Sequence, residues 1–439
     1  MLKTLVGAFK NKDIRKKILY TLMILVIVRV GSLLPIPGVD TEYFSSLLSG
    51  INTGDLSYLS AFTGGSFERM SLFALSITPY ITSSIIMQLL AIAIPKLEEM
   101  QKEGEDGRKK IAAITRYVTI VLALIESIAM AVGFGRSGLI KGYQGFSTLH
   151  YIVSIIVVVA ALTAGSAMLM WLGERITENG VGNGISIVLL INIISGMPSD
   201  FATLYSTFVA PRTIAKGVLA AAIIIAILVV MVVLVCFLQD GERRIPVQYS
   251  QKVSGRKTFG GQSTNIPLKV NTAGVMPVIF ASSLMQFPVI IAQLFGKSYE
   301  WTRYLSSSYW CRISAPKYSI GLILYIVLLI IFAYFYTSIT FNPIEVADNL
   351  KKAGGVIPGI TPGKSTSDYL NNILNYIVFV GAVGLLIIAL IPIMCTGFFN
   401  ASVSFGGTSV IIIVGVVLET LKQIESQMVN RYYKGFLSE

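Results

Sequence analysis

Apolar runs about as long as a lipid bilayer is thick recur along this chain, and they restrict its fold more than any other feature. An α-helix needs roughly 20 apolar residues to cross a hydrocarbon core of ~30 Å. Inside lipid, every backbone N–H and C=O must be bonded within the protein. The runs cover 18–36, 76–94, 112–134, 151–172, 185–207, 216–238, 271–293, 318–341, 372–394 and 402–420. The sequence therefore predicts an all-α polytopic membrane protein with ten transmembrane helices.

Composition favours the same class. Of the 439 residues, 54% are hydrophobic and 13% are charged, whereas roughly a quarter of the residues in a soluble domain are charged. No short apolar segment with a cleavage site precedes the first run, so we expect no removable signal peptide. The longer connections are 37–75, 239–270 and 342–371, which leaves no room for a separate soluble domain.

Lysine and arginine are distributed unevenly between the connections. Ten spans place both termini on one side of the membrane. If that side is cytoplasmic, the inner segments hold 24 Lys and Arg residues and the outer loops hold nine. This positive-inside bias predicts cytoplasmic termini. The net charge of +12 favours contact with anionic lipids or with another anionic partner, such as a ribosome.

Sequence patterns that support catalysis or ion coupling are not found. The chain has no GxxxxGK[ST] phosphate loop, no HExxH or GxSxG motif, and three cysteines without metal-ligand spacing. The few ionisable residues within the spans include Arg29, for which we expect a structural role, and Glu126, to which we assign none. Ion-coupled transporters usually place titratable groups near the bilayer midplane. We therefore predict neither enzymatic activity nor a cofactor.

The segment FTGGSFERMSLFALSITPY (62–80) differs from the start of an uninterrupted transmembrane helix. Its two adjacent glycines break a helix, and Glu68 and Arg69 are costly in lipid. Two interpretations remain open: a short re-entrant piece over about 55–70 that folds into the bundle, or an ordinary outer loop. In either case we expect the span to start after this piece, with Pro79 in its first turn.

Glycine and proline also interrupt two later spans, at Gly274 and Pro277 and at Gly406-Gly407. Two five-span halves, 1–210 and 211–439, would then each contain an interrupted segment, which is typical of the pseudo-symmetric repeats of many transporters. No strong sequence self-similarity accompanies this pattern.

Apolar pairs and basic loops each allow two interpretations. Ile77 and Ile81 share a helix face, as do Ile185 and Leu189. Such pairs usually face lipid or other helices, but they could also form a hydrophobic constriction that excludes water and ions. The long basic connections are either solvated sequence or docking surfaces.

Several motifs, in one order along the chain, resemble the SecY family of protein-translocation channels. SLFALSITPYITSSIIMQLL (71–90) and WLGERITENGVGNGISIV (171–188) resemble the two family signatures. KEGEDGRKKI (102–111), ERRIPVQY (242–249), GGQSTNIPLKVNTAGVMPVIFASS (260–283) and FNPIEVADNLKKAGG (341–355) are also similar. The resemblance covers roughly residues 10–430. It implies two halves, hinged between spans five and six, around an hourglass pore that opens sideways between spans two and seven.

The resemblance also implies roles for individual residues. The pore ring would be Ile77, Ile81, Ile185, Leu189, Ile279 and Ile412. The plug would include Thr63, Gly64, Gly65, Ser66, Phe67, Glu68 and Arg69. The lateral gate would carry Gln88, Ser282, Ser283 and Gln286, and the docking surface Arg243, Arg244, Arg256, Lys257, Lys351 and Lys352. Two positions depart from the family pattern: Ser76 replaces a common glycine, with little effect expected in a helix, and Thr361 replaces a common arginine.

The function implied is passage of unfolded secretory polypeptides across a bacterial cell membrane, with sideways release of signal sequences and membrane spans into lipid. The pore would be passive and driven by the SecA ATPase or a translating ribosome, and the small membrane subunits SecE and SecG would accompany it. Two rival classes are a secondary transporter for a small solute and an intramembrane protease. Copurification with two small membrane subunits would distinguish the channel from both.

Overall fold

The computed structural model describes residues 9–50, 63–135, 148–210, 214–249, 252–254, 257–259, 263–294, 300–311, 316–399 and 407–436. The helices are α1 (Lys12–Leu33), α2 (Thr41–Gly50), α3 (Thr78–Ala93), α4 (Pro95–Lys102), α5 (Glu105–Phe134), α6 (Thr148–Asn179), α7 (Gly184–Leu204), α8 (Ile214–Asp240), α9 (Met276–Leu294), α10 (Glu300–Leu305), α11 (Ile320–Thr340), α12 (Pro343–Lys352), α13 (Lys364–Phe399) and α14 (Gly407–Phe436). The strands are β1 (Glu242–Tyr249), β2 (Lys252–Ser254), β3 (Lys257–Phe259), β4 (Ser263–Lys269) and β5 (Gly355–Val356).

The helices follow the predicted apolar runs. Each of the ten runs overlaps one helix, from α1 at 18–36 to α14 at 402–420. Among the described residues, six helices are long and apolar enough to cross a membrane, or seven if α3 and α4, which meet at a bend of 107°, count as one span. A mostly helical membrane protein is therefore confirmed, whereas the count of ten spans stays a prediction.

Side-chain caps and prolines determine where several helices begin. Asn183 caps α7 by accepting from the backbone N–H groups two and three residues further on, at 3.2 and 3.4 Å. Asn342 caps α12 in the same way, at 3.1 Å. Helix α3 has no side-chain cap, but Pro79 lies in its first turn as predicted, where a missing N–H costs least.

Buried apolar side chains form several clusters in this bundle. One cluster joins α2, α5 and α6, and another joins α8, α9, α11, α13 and α14. A third, here called the ring cluster, contains the six residues predicted for the pore ring together with neighbours from α1 and α6. The ring cluster and a small group of Ile14, Val181 and Ile424 take residues from both 1–210 and 211–439. The ring cluster therefore lies where the two halves of the chain meet.

A small sheet occupies the connection 239–270, which the sequence predicts only as a loop. Its order is β4-β1-β5, with β1 antiparallel to both neighbours, while β2 and β3 form a separate hairpin. Alternate residues Ile245 and Val247 are buried, the period expected of a strand with one solvated face. Prolines at 246 and 267 obscure this pattern, since proline is rare inside strands. Because β5 belongs to 342–371, the sheet joins the two long connections into one platform.

Candidate pore ring, plug seat and lateral gate

The six residues predicted for the pore ring lie together in the ring cluster. Ile77, Leu189, Ile279 and Ile412 are at most 6% exposed, and Ile81 and Ile185 are partly buried against them. Each of the four contributing helices, α3, α7, α9 and α14, places its ring residue just before or within its first two turns. The side chains pack against one another where the two halves meet.

A cavity of about 520 Å³ adjoins the ring cluster on one side. Five of the ring residues line it, and Ile77 does not. The rest of its wall mixes apolar and polar residues, and the polar ones include Asn183, Gln239, Asn271 and Glu419. The cavity, here called the polar vestibule, therefore places polar side chains beside an apolar constriction.

The described part of the predicted plug, residues 63–70, folds into the bundle as a series of turns. Phe67 and Met70 are buried, and Phe67 makes an edge-to-face contact with Phe44, with ring centroids 5.9 Å apart. Glu68 and Arg69 are exposed. Residues 55–62 of the predicted piece lie outside the described residues.

Gly64 lies directly against α7. The Ser195 hydroxyl donates to the Gly64 carbonyl at 3.5 Å and to the Asn192 carbonyl at 2.7 Å. Gly64 has a φ of +62°, and a Cβ atom there would lie 2.6 Å from Ser195 Oγ and 2.8 Å from Asn192 O. A guanidinium nitrogen of Arg29 lies 3.0 Å from the same point and has no hydrogen-bond partner among the described residues. Any other residue type at Gly64 would force Ser195 or the backbone of Asn192 to shift, and this seat places the segment against α1 and α7.

Ser76 has a left-handed backbone and lies before α3, not within it. Its φ is +53°, a conformation that favours glycine. The prediction that Ser76 lies in a helix is therefore wrong. Asn192 Nδ2 donates to Ser76 Oγ at 3.1 Å, and both residues are buried. Here the serine side chain supplies a buried acceptor that glycine lacks.

The polar contact across the predicted gate involves a residue that the sequence reasoning missed. Tyr336, on α11, donates to Gln88 Oε1, on α3, at 2.9 Å. The ring of Tyr336 also makes an edge-to-face contact with Phe280 on α9, at 5.5 Å. The apolar run 318–341 contains several hydroxyl side chains, so nothing in the sequence distinguished Tyr336 from the others. Because α3 belongs to one half and α11 to the other, this bond joins the two halves.

The other predicted gate residues have different environments. Ser282 is buried, and its hydroxyl donates to the carbonyls of Val278 and Ile279 in its own helix, at 2.8 and 3.0 Å. Ser283 is partly buried. The side chain of Gln286 lies outside the described part of the structure. Among the four predicted gate residues, Gln88 makes a described hydrogen bond to the carboxy-terminal half, through Tyr336.

Helix α3 is fastened to its neighbours in the amino-terminal half. Ser83 donates to the carbonyl of Thr115 on α5 at 2.8 Å. Helix α5 is joined in turn to α6 through Arg116 and Glu174, whose charged groups are 2.6 Å apart. These contacts hold the candidate gate helix to its own half.

The predicted docking residues lie on or near the sheet platform. Arg243 and Arg244 are exposed on β1, and Lys351 and Lys352 are exposed in the last turn of α12. Arg256 lies outside the described residues, and Lys257 begins β3. Thr361 is exposed in the connection that follows β5. The platform presents basic side chains from both long connections.

An apolar constriction lies between two helical halves, with the polar vestibule and a folded-in segment beside it. This is the arrangement of a membrane channel. The SecY family profile matches residues 71–421. Protein translocase subunit SecY of Streptomyces galbus is 44% identical over the full length of both chains, and that of Bacillus subtilis is 42% identical over the full length of both. The chain belongs to the SecY family of protein-conducting channels.

Solved channel structures share the fold. A SecY structure reported with a plug domain that stabilises the closed translocation channel has a TM-score of 0.64, covering 94% of this chain and 92% of that one, at 19% identity. Sec61 in a canine ribosome-channel complex has a TM-score of 0.57, covering 94% and 93%, at 18% identity. At these identities the likeness concerns the fold alone.

Two substitutions at Ser76 separate its backbone strain from its hydrogen bond. Ser76→Ala and Ser76→Gly both remove the acceptor for Asn192, but only glycine relieves the left-handed conformation, which costs other residues roughly 1–2 kcal/mol. Glycine also loses more entropy on folding, so we expect Ser76→Gly to be the more stable of the two by about 1 kcal/mol. Thermal unfolding of the purified protein in detergent measures the order. An alanine variant as stable as the glycine variant would contradict a strained Ser76.

Proposed function

We propose that this chain is the central channel of a bacterial Sec translocase and passes unfolded secretory polypeptides through the ring cluster. The observation that carries this proposal is the convergence of six aliphatic side chains from both halves at one constriction. Aliphatic side chains offer no fixed hydrogen-bond partner to a passing polypeptide, so any sequence can pass. When they pack together, they exclude water and ions.

The proposed architecture has ten spans in two pseudo-symmetric halves, 1–210 and 211–439, around an hourglass pore. The overlap of each predicted run with one helix supports the count. The excess of Lys and Arg in the connections on the sheet side supports a cytoplasmic location for the sheet and both termini in a bacterial cell membrane. The polar vestibule would then be the cytoplasmic funnel.

In the proposed mechanism the segment around 63–69 acts as a plug that rests on α7 when the channel is idle. The fit of Gly64 against Ser195 and Asn192 supports a defined resting position. Signal sequences and membrane spans would leave sideways between α3 and α9. The Gln88–Tyr336 bond lies on that side and would have to separate first, whereas the Phe280–Tyr336 contact, which lies within one half, would persist.

The basic sheet platform is the proposed docking surface for the SecA ATPase and the ribosome. Exposed Arg243 and Arg244 suit carboxylates or phosphates, which arginine binds in a bidentate manner. Lys351, Lys352 and, from the hairpin connection, Arg256 and Lys257 would add charge. The small subunits SecE and SecG would bind elsewhere on the bundle. Thr361 lacks the charge of the usual arginine, so contact with the motor would depend on these neighbours.

Crosslinking during export tests the path of the substrate. A photoreactive residue at Ile77, Ile279 or Ile412 should form adducts with a secretory polypeptide stalled in the channel. The same residue at Ile225, which is 61% exposed on the outside of α8, serves as the control and should form none. Active export without adducts at any ring position would contradict the proposed pore and would favour the secondary-transporter alternative.

Adjacent glycines allow a matched test of the plug seat. Gly64→Ala and Gly65→Ala both place a methyl group on a left-handed residue, with φ values of +62° and +79°. Among the described residues, a Cβ atom at Gly64 would meet neighbours, whereas none lies within 4 Å of a Cβ atom at Gly65. We expect Gly64→Ala to raise ion flux through the idle channel in liposomes well above that of Gly65→Ala. Equal flux in the two variants would mean that contact with α7 does not seal the pore.

Removal of one hydroxyl tests the gate. Tyr336→Phe abolishes the bond to Gln88 and retains the ring contact with Phe280. A neutral hydrogen bond contributes about 0.5–1.5 kcal/mol, so the closed-to-open ratio should fall roughly 2- to 12-fold. We expect export of a reporter with a weakly apolar signal sequence to increase.

Tyr334→Phe is the control for this test, because Tyr334 lies on the same helix and donates to the Asn375 carbonyl within its own half, at 3.3 Å. Export by this variant should match the wild type. If Tyr336→Phe also matches the wild type, the Gln88–Tyr336 bond does not hold the gate.

A further inference from the structure

A compact group of aromatic and cationic side chains lies at the end of the bundle away from the sheet, between α9 and α11. It consists of Arg303, Lys317, Tyr304, Tyr309 and Tyr318, here called the cation–tyrosine cluster. Tyr318 is at its centre, because its ring centroid lies 5.0 Å from that of Tyr304 and 6.0 Å from that of Tyr309. The edge-to-face geometry of both pairs gives Tyr318 a defined position.

Each cation of the cluster lies over a tyrosine ring. The guanidinium of Arg303 lies over the ring of Tyr309, 5.8 Å from its centroid, and Lys317 Nζ lies 5.0 Å from the centroid of Tyr318. The face of an aromatic ring attracts a cation and leaves its outward N–H groups able to donate to an anion. Because Tyr309 and Tyr318 are themselves in contact, the cluster holds two positive charges close together.

The positive charge of the cluster is only partly balanced. Glu300, in the first turn of α10, acts electrostatically on both cations. No ion pair within 4 Å joins Arg303 or Lys317 to a carboxylate in the part of the chain that the structure describes. Tyr318 is 5% exposed, whereas both cations are exposed. An anion at the surface would find two charged donors already held in place.

Apolar side chains next to the cluster face outward from the bundle. Trp301 is 45% exposed, and Ile320 and Ile323, in the first turn of α11, are 63% and 62% exposed. In a membrane protein such side chains meet acyl chains, and aromatic and cationic residues beside them lie at the depth of the headgroups. We propose that the cation–tyrosine cluster binds the phosphate of an anionic phospholipid whose acyl chains lie along the outward face of α11.

Fluorescence quenching by brominated lipids tests this site. In a Trp171→Phe background, emission comes from Trp301 and Trp310, both next to the cluster, since the chain has three tryptophans. The protein would be reconstituted in phosphatidylcholine with increasing fractions of either brominated phosphatidylglycerol or brominated phosphatidylcholine. A surface cation near anionic lipid contributes about 1 kcal/mol, which corresponds to roughly fivefold in affinity. We therefore expect half-maximal quenching at a roughly fivefold or more lower fraction of the anionic lipid.

Variants that remove charge test whether the preference for the anionic lipid arises at the cation–tyrosine cluster. The double variant Arg303→Gln with Lys317→Gln should be quenched equally by the two lipids. Lys216→Gln serves as the matched control, because Lys216 is an exposed cation at the start of α8, at the same end of the bundle. That variant should retain the preference. Three results would each overturn the proposal. The unmutated protein could be quenched equally by both lipids, or the double variant could keep the preference for the anionic lipid. The third is that Lys216→Gln removes this preference as completely as the double variant does.

Discussion

A polypeptide within a bilayer must bond every backbone polar group inside the protein, and the irregular segment before α3 depends most on this constraint. Residues 63–77 form turns instead of a continuous helix, and neighbouring elements supply their partners. The N–H of Ile36 donates to the carbonyl of Met70 at 3.1 Å, and the N–H of Leu72 donates to the carbonyl of Leu34 at 2.9 Å. The positions of the candidate plug and of the start of α3 therefore follow from the end of α1.

The same constraint determines how the two halves can separate. Helix α3 is fastened through Ser83 to α5, and α5 is fastened through Arg116 to α6, so α3 would move as part of the amino-terminal half. The ring cluster, by contrast, holds the halves together through apolar packing, which has no directional bonds and reforms easily. The proposed opening at the α3 side would thus require the loss of packing and of the Gln88–Tyr336 bond, while the internal bonds of each half persist.

Much of the fold could be predicted from the sequence, because membrane-length apolar runs and the motifs of the SecY family are both strong signals. Ring residues such as Ile279 could be assigned only through the resemblance, since helical spacing alone does not distinguish a constriction from a lipid-facing surface. The sheet was missed because prolines interrupt β1 and β4. Tyr336 was missed because its partner Gln88 lies 248 positions away, and the left-handed backbone of Ser76 leaves no trace in a sequence that reads as helical.

The proposed ring is lined by aliphatic side chains, whereas the proposed gate contains a hydrogen bond. The two therefore lose different contacts when a polypeptide enters. In the proposed pore, a polypeptide in the ring replaces aliphatic contacts with its own, and no polar side chain of the ring is left unpaired. An apolar segment that enters the proposed gate between α3 and α9, however, cannot bond to Gln88 or Tyr336 once it separates these two residues. Burial of a methylene group contributes about 0.8 kcal/mol, and a net hydrogen bond contributes about 0.5–1.5 kcal/mol. Loss of this bond therefore corresponds to the burial of about one or two methylene groups, so in the proposed gate the bond would raise the apolarity that a segment needs to leave sideways.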